Sequence, residues 1–343
     1  LLAVINLFSF TLVAACAATG SVKIQWLRIF KFSAISLVIF AGVLGGTRFL
    51  LAKMVTKEDL SRRTLMQSEI VDPKAAYIHK IGSLEEFAHK SPLGSIIKRS
   101  RLRVGYHPEN LPFSFINDKG ELVGFDIELM HLLARELNVE IDFVRWTYDT
   151  LFTDLNNDKF DLAIGGLIVN PERLAKANFS NPYMSLTTSV VVEDHRRDEF
   201  GSWEKIDKAL IARLGVVGEE RGEFVQRQLP NTDVVLLETY SDFFVNKTKR
   251  IDGLVISAEA GSAWTILFPA YSVVLPEPHE KTYAALAIPL DRPEFENFIN
   301  DWLNVKQTAG VIDRLYSKWI LGEEAHQKRV RWSLGRDVFG LWE

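Results

Sequence analysis

Residues 160–173 read Phe160-Asp161-Leu162-Ala163-Ile164-Gly165-Gly166-Leu167-Ile168-Val169-Asn170-Pro171-Glu172-Arg173. Phe160 to Gly166 is a mostly apolar run, as expected of a strand covered on both faces of a parallel sheet. It ends on two glycines, which let a ligand approach the backbone closely. Asn170 is a good helix cap and Pro171 suits the first helical position. Arg173 then lies one turn in, with a fork of donors suited to a carboxylate. A helix start and a guanidinium at the carboxyl end of a strand make an anion site in the place where open α/β sheets bind ligands. The bland alternative is that Arg173 pairs with a surface carboxylate.

Outward from this stretch, strands and helices alternate from about residue 101 to 320. Leu102-Arg103-Val104-Gly105-Tyr106 reads as a strand. Phe113–Ile116 and Glu121–Phe125 flank Asn117-Asp118-Lys119-Gly120, a hairpin signal. Asp126 is expected to cap a helix whose apolar face is Ile127, Met130, Leu133, Ala134 and Leu137. Such alternation predicts an α/β protein with mainly parallel sheets, and about 220 residues suit two sheets of four to six strands better than one. A break between two lobes is expected at Val190 to Asp194, and a return crossing at Ser272 to Pro278. Lobe one is then 101–190 plus 279–321, and lobe two 195–271.

The order of "PFSF", "G.LVGFD", "FDLAIGG", "PER" and "FSNPY" across 101–321 resembles the extracellular solute-binding proteins of family 3. The resemblance implies the two-lobed periplasmic-binding-protein type II fold and no enzyme activity. It places the carboxylate-binding arginine on Arg173, the ligand-facing backbone glycine on Gly166 and a ligand-stacking aromatic on Tyr148. A frequent threonine falls on Ile168. An acidic or polar position falls on His107, and a common aromatic on Asn110. The acid that often holds a ligand's ammonium group falls on Ser257, with Glu259 close by. The usual Gly-Thr loop reads Gly218-Glu219-Glu220-Arg221. Contacts on closure are expected from the Glu219–Gly222 loop and the Ser257–Glu259 turn. The anion half of an amino-acid site is thus kept and the ammonium half is not, so a dicarboxylate competes with an amino acid as ligand. The segments "DHRRDEFGSW", "SAEAGSAWTILFPAYSVV" and "RWSLGRDVFG" resemble the solute-binding domains fused to the C-terminus of cation:dicarboxylate symporter family transporters.

Residues 1–22 carry no charge, and 32–52 carry only Arg48, so each is long enough to cross a bilayer as a helix. They are expected to be two transmembrane helices, a remnant of a transporter domain, followed by a polar connector over 53–100. Residues 322–343 form a basic, aromatic tail suited to a membrane surface. The expected setting is the inner membrane with the binding domain on the periplasmic side. The stretch Leu12-Val13-Ala14-Ala15-Cys16 also resembles a lipoprotein cleavage box, but no basic region precedes it and a second membrane-length run follows.

With 40 Lys and Arg against 44 Asp and Glu, the net charge is −4, and no basic stripe carries interleaved aromatics, which argues against nucleic acid. The histidines at 79, 89, 107, 131, 195, 279 and 326 lack metal-ligand spacing. No nucleotide or nucleophile-elbow motif is present, so no cofactor is expected. The expected partners are a small anionic solute, the membrane and a transporter. A sensory input domain of a receptor is a competing reading. So is a dehydratase on the same fold, with Glu259 and His107 as its candidate acid–base groups.

Overall fold

The computed structural model describes residues 61–79, 93–208, 213–245 and 250–322, together with Ser36, Phe40 and Gly42. Two compact units divide the chain, Leu1–Asp59 and Leu60–Glu343. The expected membrane helices at 1–22 and 32–52, and the tail beyond Gly322, lie outside the described residues. Among the described residues no helix is long and apolar enough to cross a membrane.

The second unit is built on two sheets. The first runs in the order β1 (Ala76–His79), β6 (Glu140–Arg145), β2 (Arg101–Tyr106), β7 (Leu162–Ala163), β15 (Ala287–Ile288) and β8 (Asn178–Phe179). Its β1–β6, β6–β2 and β2–β7 pairs are parallel. The second runs β11 (Asp233–Leu237), β10 (Arg213–Val217), β12 (Gly253–Ser257), β9 (Met184–Glu193) and β13 (Tyr271–Val274). Here β10 is parallel to both neighbours, while β9 is antiparallel to β12 and β13. The hairpin expected around Asn117–Gly120 forms between β4 (Ser114–Ile116) and β5 (Leu122–Val123), with Phe115 opposite Val123 and Ile116 opposite Leu122, and β3 (Glu109–Asn110) completes a small third sheet. This is the two-lobed α/β architecture of the type II periplasmic binding proteins.

The crossing between lobes differs from the expectation. β9 is one ten-residue strand that serves both lobes. Its first half, Met184 to Thr187, pairs with β14 (Lys281–Ala284), and its second half pairs with β12 in lobe two. Val190 is therefore inside the second sheet, opposite Val255 and Val274, and the outward crossing falls near Thr187. Ser272 also belongs to the second sheet, opposite Val192, so the return is made by Lys281–Ala284 rather than at Ser272–Pro278. A continuous strand has no composition break at the point where it changes partners, which is why sequence placed the boundary late. The paired strands β9 and β14 are the connection between the two lobes.

The connector is also corrected. Residues 61–79 belong to lobe one: Leu65 is buried, β1 edges the first sheet, and the Asp118 N–H donates to the Met66 carbonyl at 2.9 Å. Glu128, on the helix Phe125–Leu137, ties this segment down. Its carboxylate accepts from Lys318 Nζ (2.6 Å), Trp319 Nε1 (2.7 Å) and the Val71 N–H (3.3 Å). Glu128→Ala leaves the Lys318 ammonium with only the Glu69 carbonyl and no counter-charge, and the Trp319 N–H without its acceptor, and we expect it to cost about 3–5 kcal/mol by urea unfolding.

Candidate functional site: the cleft between the lobes

The short central strand β7 leads into Gly165 (φ 128°) and Gly166 (φ 61°), a backbone path open to glycine and costly for other residues. A Cβ on Gly166 would stand 2.6 Å from the Phe113 ring, and one on Gly165 would stand 2.6 Å from Asn110 Nδ2. The loop is pinned from below by Asp126, whose Oδ2 accepts from both glycine N–H groups at 2.8 Å. The expected capping role of Asp126 is therefore corrected. The helix starts at Phe125 behind Gly124, and the carboxylate turns from the helix end to the glycine loop. Burial pushes its carboxyl up to about 6, against the downward pull of Tyr183 and the two N–H donors.

Past the glycines, Asn170 caps the next turn as expected, its Oδ1 accepting from the Arg173 N–H at 2.8 Å, with Pro171 in the first turn. Arg173 is buried, and its Nη1 donates to the Ile168 carbonyl at 3.1 Å. The loop is also stitched to the hinge: Val169 N–H donates to the Tyr283 carbonyl, and Ala285 N–H to the Leu167 carbonyl, both at 3.0 Å. The loop and the strand that joins the lobes are therefore held together by two backbone hydrogen bonds.

Lobe two faces the loop with Arg221, Tyr240, Ile256, Ser257 and Ala260. With Asn110, Phe113, Gly165, Gly166 and Ile168 of lobe one they line a cavity of about 20 Å³. That is room for a water-sized group. The lobes touch around it: Ser241 Oγ donates to Glu109 Oε2 at 2.7 Å, Arg227 pairs with Glu172, and the Tyr148 and Tyr240 rings meet edge to face at 6.5 Å. The arrangement is a closed cleft, which a ligand of several heavy atoms enters only when the lobes part. Ile168, Arg221, Ile256 and Ser257 also border an apolar hollow of about 250 Å³ under Phe224 and Tyr283.

The profile of the bacterial extracellular solute-binding proteins, family 3, matches residues 102–322. The chain belongs to that family. It is 24% identical over 235 residues to cyclohexadienyl dehydratase of Pseudomonas aeruginosa, covering 68% of this chain and 87% of that one. It is 24% identical over 213 residues to ABC transporter arginine-binding protein 1 of Escherichia coli (61% and 86%). It is 25% identical over 242 residues to an L-cystine-binding protein of the same species (69% and 89%). Among solved structures, an ancestral amino acid-binding protein described as a precursor of cyclohexadienyl dehydratase aligns with a TM-score of 0.60 at 31% identity, over 66% of this chain and 98% of that one.

Within this solute-binding domain the residues singled out from sequence separate into two groups, while Arg173, buried in the turn after the glycine loop, is not a lining residue of the cavity. Gly166, Ile168, Asn110 and Ser257 line the cleft. Tyr148 stands beside it, its hydroxyl donating to Asn110 Oδ1 at 2.6 Å. Its pKa is raised well above the ordinary range by burial and by Tyr240, while Arg221 and Arg173 pull the other way.

The second group sits elsewhere. His107 lies behind Tyr148, against the rings of Trp146 (5.2 Å) and Tyr148 (5.0 Å), and does not line the cavity. Glu219 lines an outer groove of about 530 Å³ with Asp149 and Lys176. Its neighbour on the same helix, Arg221, is the one that reaches the cleft. Glu259 turns to the hinge, accepting from the Thr187 N–H at 3.3 Å, and burial raises its pKa.

Three residues at the cleft were not singled out as site residues: Asp126, Phe113 and Tyr240. Asp126 carries a signal only in retrospect, as an acid just past Gly124-Phe125 that the helix pattern explained too easily as a cap.

His107 and His131 are both pushed down to about 4, mainly by burial, with Arg145 and Arg135 adding to it. His131 Nδ1 accepts from the Lys74 N–H at 3.2 Å, a bond that protonation would break. A histidine with a depressed native pKa contributes stability that is present above its unfolded value and lost as pH falls towards the native one. Between pH 7.5 and 4.5 each should remove about 2.5 kcal/mol. Urea unfolding of His131→Gln, whose side-chain carbonyl can still accept from Lys74, should show that loss reduced by the same amount.

Proposed function

We propose that this chain captures a small carboxylate, an amino acid or a dicarboxylate, outside the cytoplasm and presents it to a membrane transporter. Three things support this. The family binds solutes, and its relatives include arginine-, histidine- and cystine-binding proteins. The cleft is bordered by a glycine loop with a buried guanidinium, Arg173, folded against the loop's own Ile168 carbonyl. The apolar runs at 1–22 and 32–52 and the likeness to symporter-fused domains support a tether in the inner membrane with the domain on the periplasmic face. The observation that carries the reading is the position of Arg173. It is rooted in the turn that Asn170 caps, seven residues past Gly166, and is sheltered from bulk water.

The ligand first meets lobe one at Arg173, the Gly166 backbone and Tyr148, and lobe two then swings over it on the two hinge strands. Only contacts that lobe two gains on closing stabilise the closed form.

The likeness to a dehydratase favours a second reading, in which the cleft eliminates water from its ligand. That needs a proton donor beside the ligand. His107 packs against Tyr148 and Glu259 accepts from the Thr187 N–H, and neither is a lining residue of the cavity, so the two acid–base candidates read from sequence do not supply that donor.

A thermal-shift screen of the chain against amino acids and four- to six-carbon dicarboxylates tests the proposal. A ligand at a hundred times its Kd should stabilise the fold by about 2.7 kcal/mol. Arg173→Ala should abolish that shift. A shift that survives unchanged in the variant places the ligand elsewhere.

A further inference from the structure

We infer that Arg221 of lobe two is a second anion-binding group, so that the ligand is a dianion held by one guanidinium on each lobe. The inference rests on the reading that Arg173 holds the first carboxylate.

The buried and half-buried arginines named next have carboxylate partners. Arg103 pairs with Asp161, Arg101 with Asp142, Arg196 with Asp252 and Arg292 with Asp158. Arg221 differs. It too is half-buried, on the helix Glu219–Gln228, and among the described residues its side-chain partner is the Tyr240 hydroxyl at 3.0 Å. A guanidinium drawn out of water towards a neutral phenol loses solvation that no counter-charge returns. It does so on the wall of the cleft, where it borders both the closed cavity and the adjoining apolar hollow.

The rest of the lining agrees in sign. Among the described residues no acidic side chain borders the cavity. Ser257, at the end of β12, has its hydroxyl engaged by the Ala260 N–H at 3.2 Å, and the nearby Glu259 faces Thr187. Among the described lining residues, lobe two thus offers a ligand a cation, a phenol and a hydroxyl, and no carboxylate for an ammonium group. A ligand with anionic groups at both ends satisfies each lobe. Because Arg221 reaches it only when the lobes meet, the second carboxylate is also what selects the closed form.

Titration calorimetry on the full chain separates the possibilities. Succinate and glutarate are compared with their monoanionic counterpart butyrate, on wild type, Arg221→Gln, Arg221→Lys and Arg173→Gln. One of the dicarboxylates should bind at least tenfold more tightly than butyrate. Arg221→Gln should erase that preference and Arg221→Lys should keep part of it. Arg173→Gln should weaken every carboxylate. Dicarboxylate affinity that is lost in Arg173→Gln yet unchanged in Arg221→Gln overturns the second site alone. Affinity unchanged in both variants overturns the capture reading with it. A thermal melt of Arg221→Gln at the wild-type temperature shows that any loss is not unfolding.

Discussion

Asp126→Ala is expected to lower stability by about 3 kcal/mol and to abolish ligand binding. The fully buried carboxylate takes the N–H groups of Gly165 and Gly166 on one oxygen, both at 2.8 Å. Without it, two buried N–H groups lose their acceptor, at about 1–3 kcal/mol each. Part of that is returned, because a carboxylate no longer has to be kept out of water. The loop that faces the ligand then has no anchor beneath it. Asp126→Asn separates these contributions. An amide oxygen can still accept from both glycines and carries no charge to desolvate. Since burial lifts the native carboxyl to about 6 from an ordinary 3.8, its contribution to stability is greatest below 3.8 and is lost as pH rises through 6. The asparagine variant should therefore lie within about 1 kcal/mol of wild type at pH 8 and lack that part of the pH dependence. Urea unfolding at pH 4 and 8, with calorimetric titration of ligand, measures both effects.

Gly166→Ala should cost about 2–5 kcal/mol and reduce affinity at least a hundredfold. A left-handed backbone at φ 61° costs an alanine about 1–2 kcal/mol. The new methyl would also sit 2.6 Å from the Phe113 ring, and relieving that overlap costs about 1–3 kcal/mol more. Phe113 is buried and its N–H is held by the Asn110 carbonyl, so the glycine loop has to give way. Displacing it moves the backbone that meets the ligand, and through the Val169–Tyr283 hydrogen bond it disturbs the hinge strand as well. Chemical unfolding and ligand titration of the same variant should show both losses together. Retained affinity with reduced stability would assign this glycine to folding alone.

The parts of this architecture that were legible in the sequence are those with local signatures. The hairpin at Asn117–Gly120 and the Asn170–Pro171 helix start follow from turn and cap chemistry, and the structure has both. What was not legible depends on partners far apart in the chain. β9 changes sheets without a change in composition, since a strand's sequence does not record which neighbour it pairs with. Residues 61–79 read as a polar connector because their anchors, Glu128 and Lys318, lie about 60 and 250 residues downstream. Asp126 had a plausible local role as a cap, and the distant glycine loop took its carboxylate instead. Of the lobe-two positions carried over from the resemblance, Ser257 reached the cleft while Glu219 and Glu259 did not. One step of helix register decides which side chain of the Glu219–Gly222 turn faces the cleft, and Arg221 is the one that does.

The central claim is that the two lobes close on the paired strands 184–187 and 281–284 around a carboxylate. Spin labels at Asn157 in lobe one and Glu223 in lobe two, both exposed, report that motion once Cys16 is replaced by serine. Saturating a chain with a carboxylate that raises its melting temperature should shorten and narrow the label–label distance, and Arg173→Ala should leave it as in the free protein. A distance distribution that is the same with and without that ligand contradicts the account.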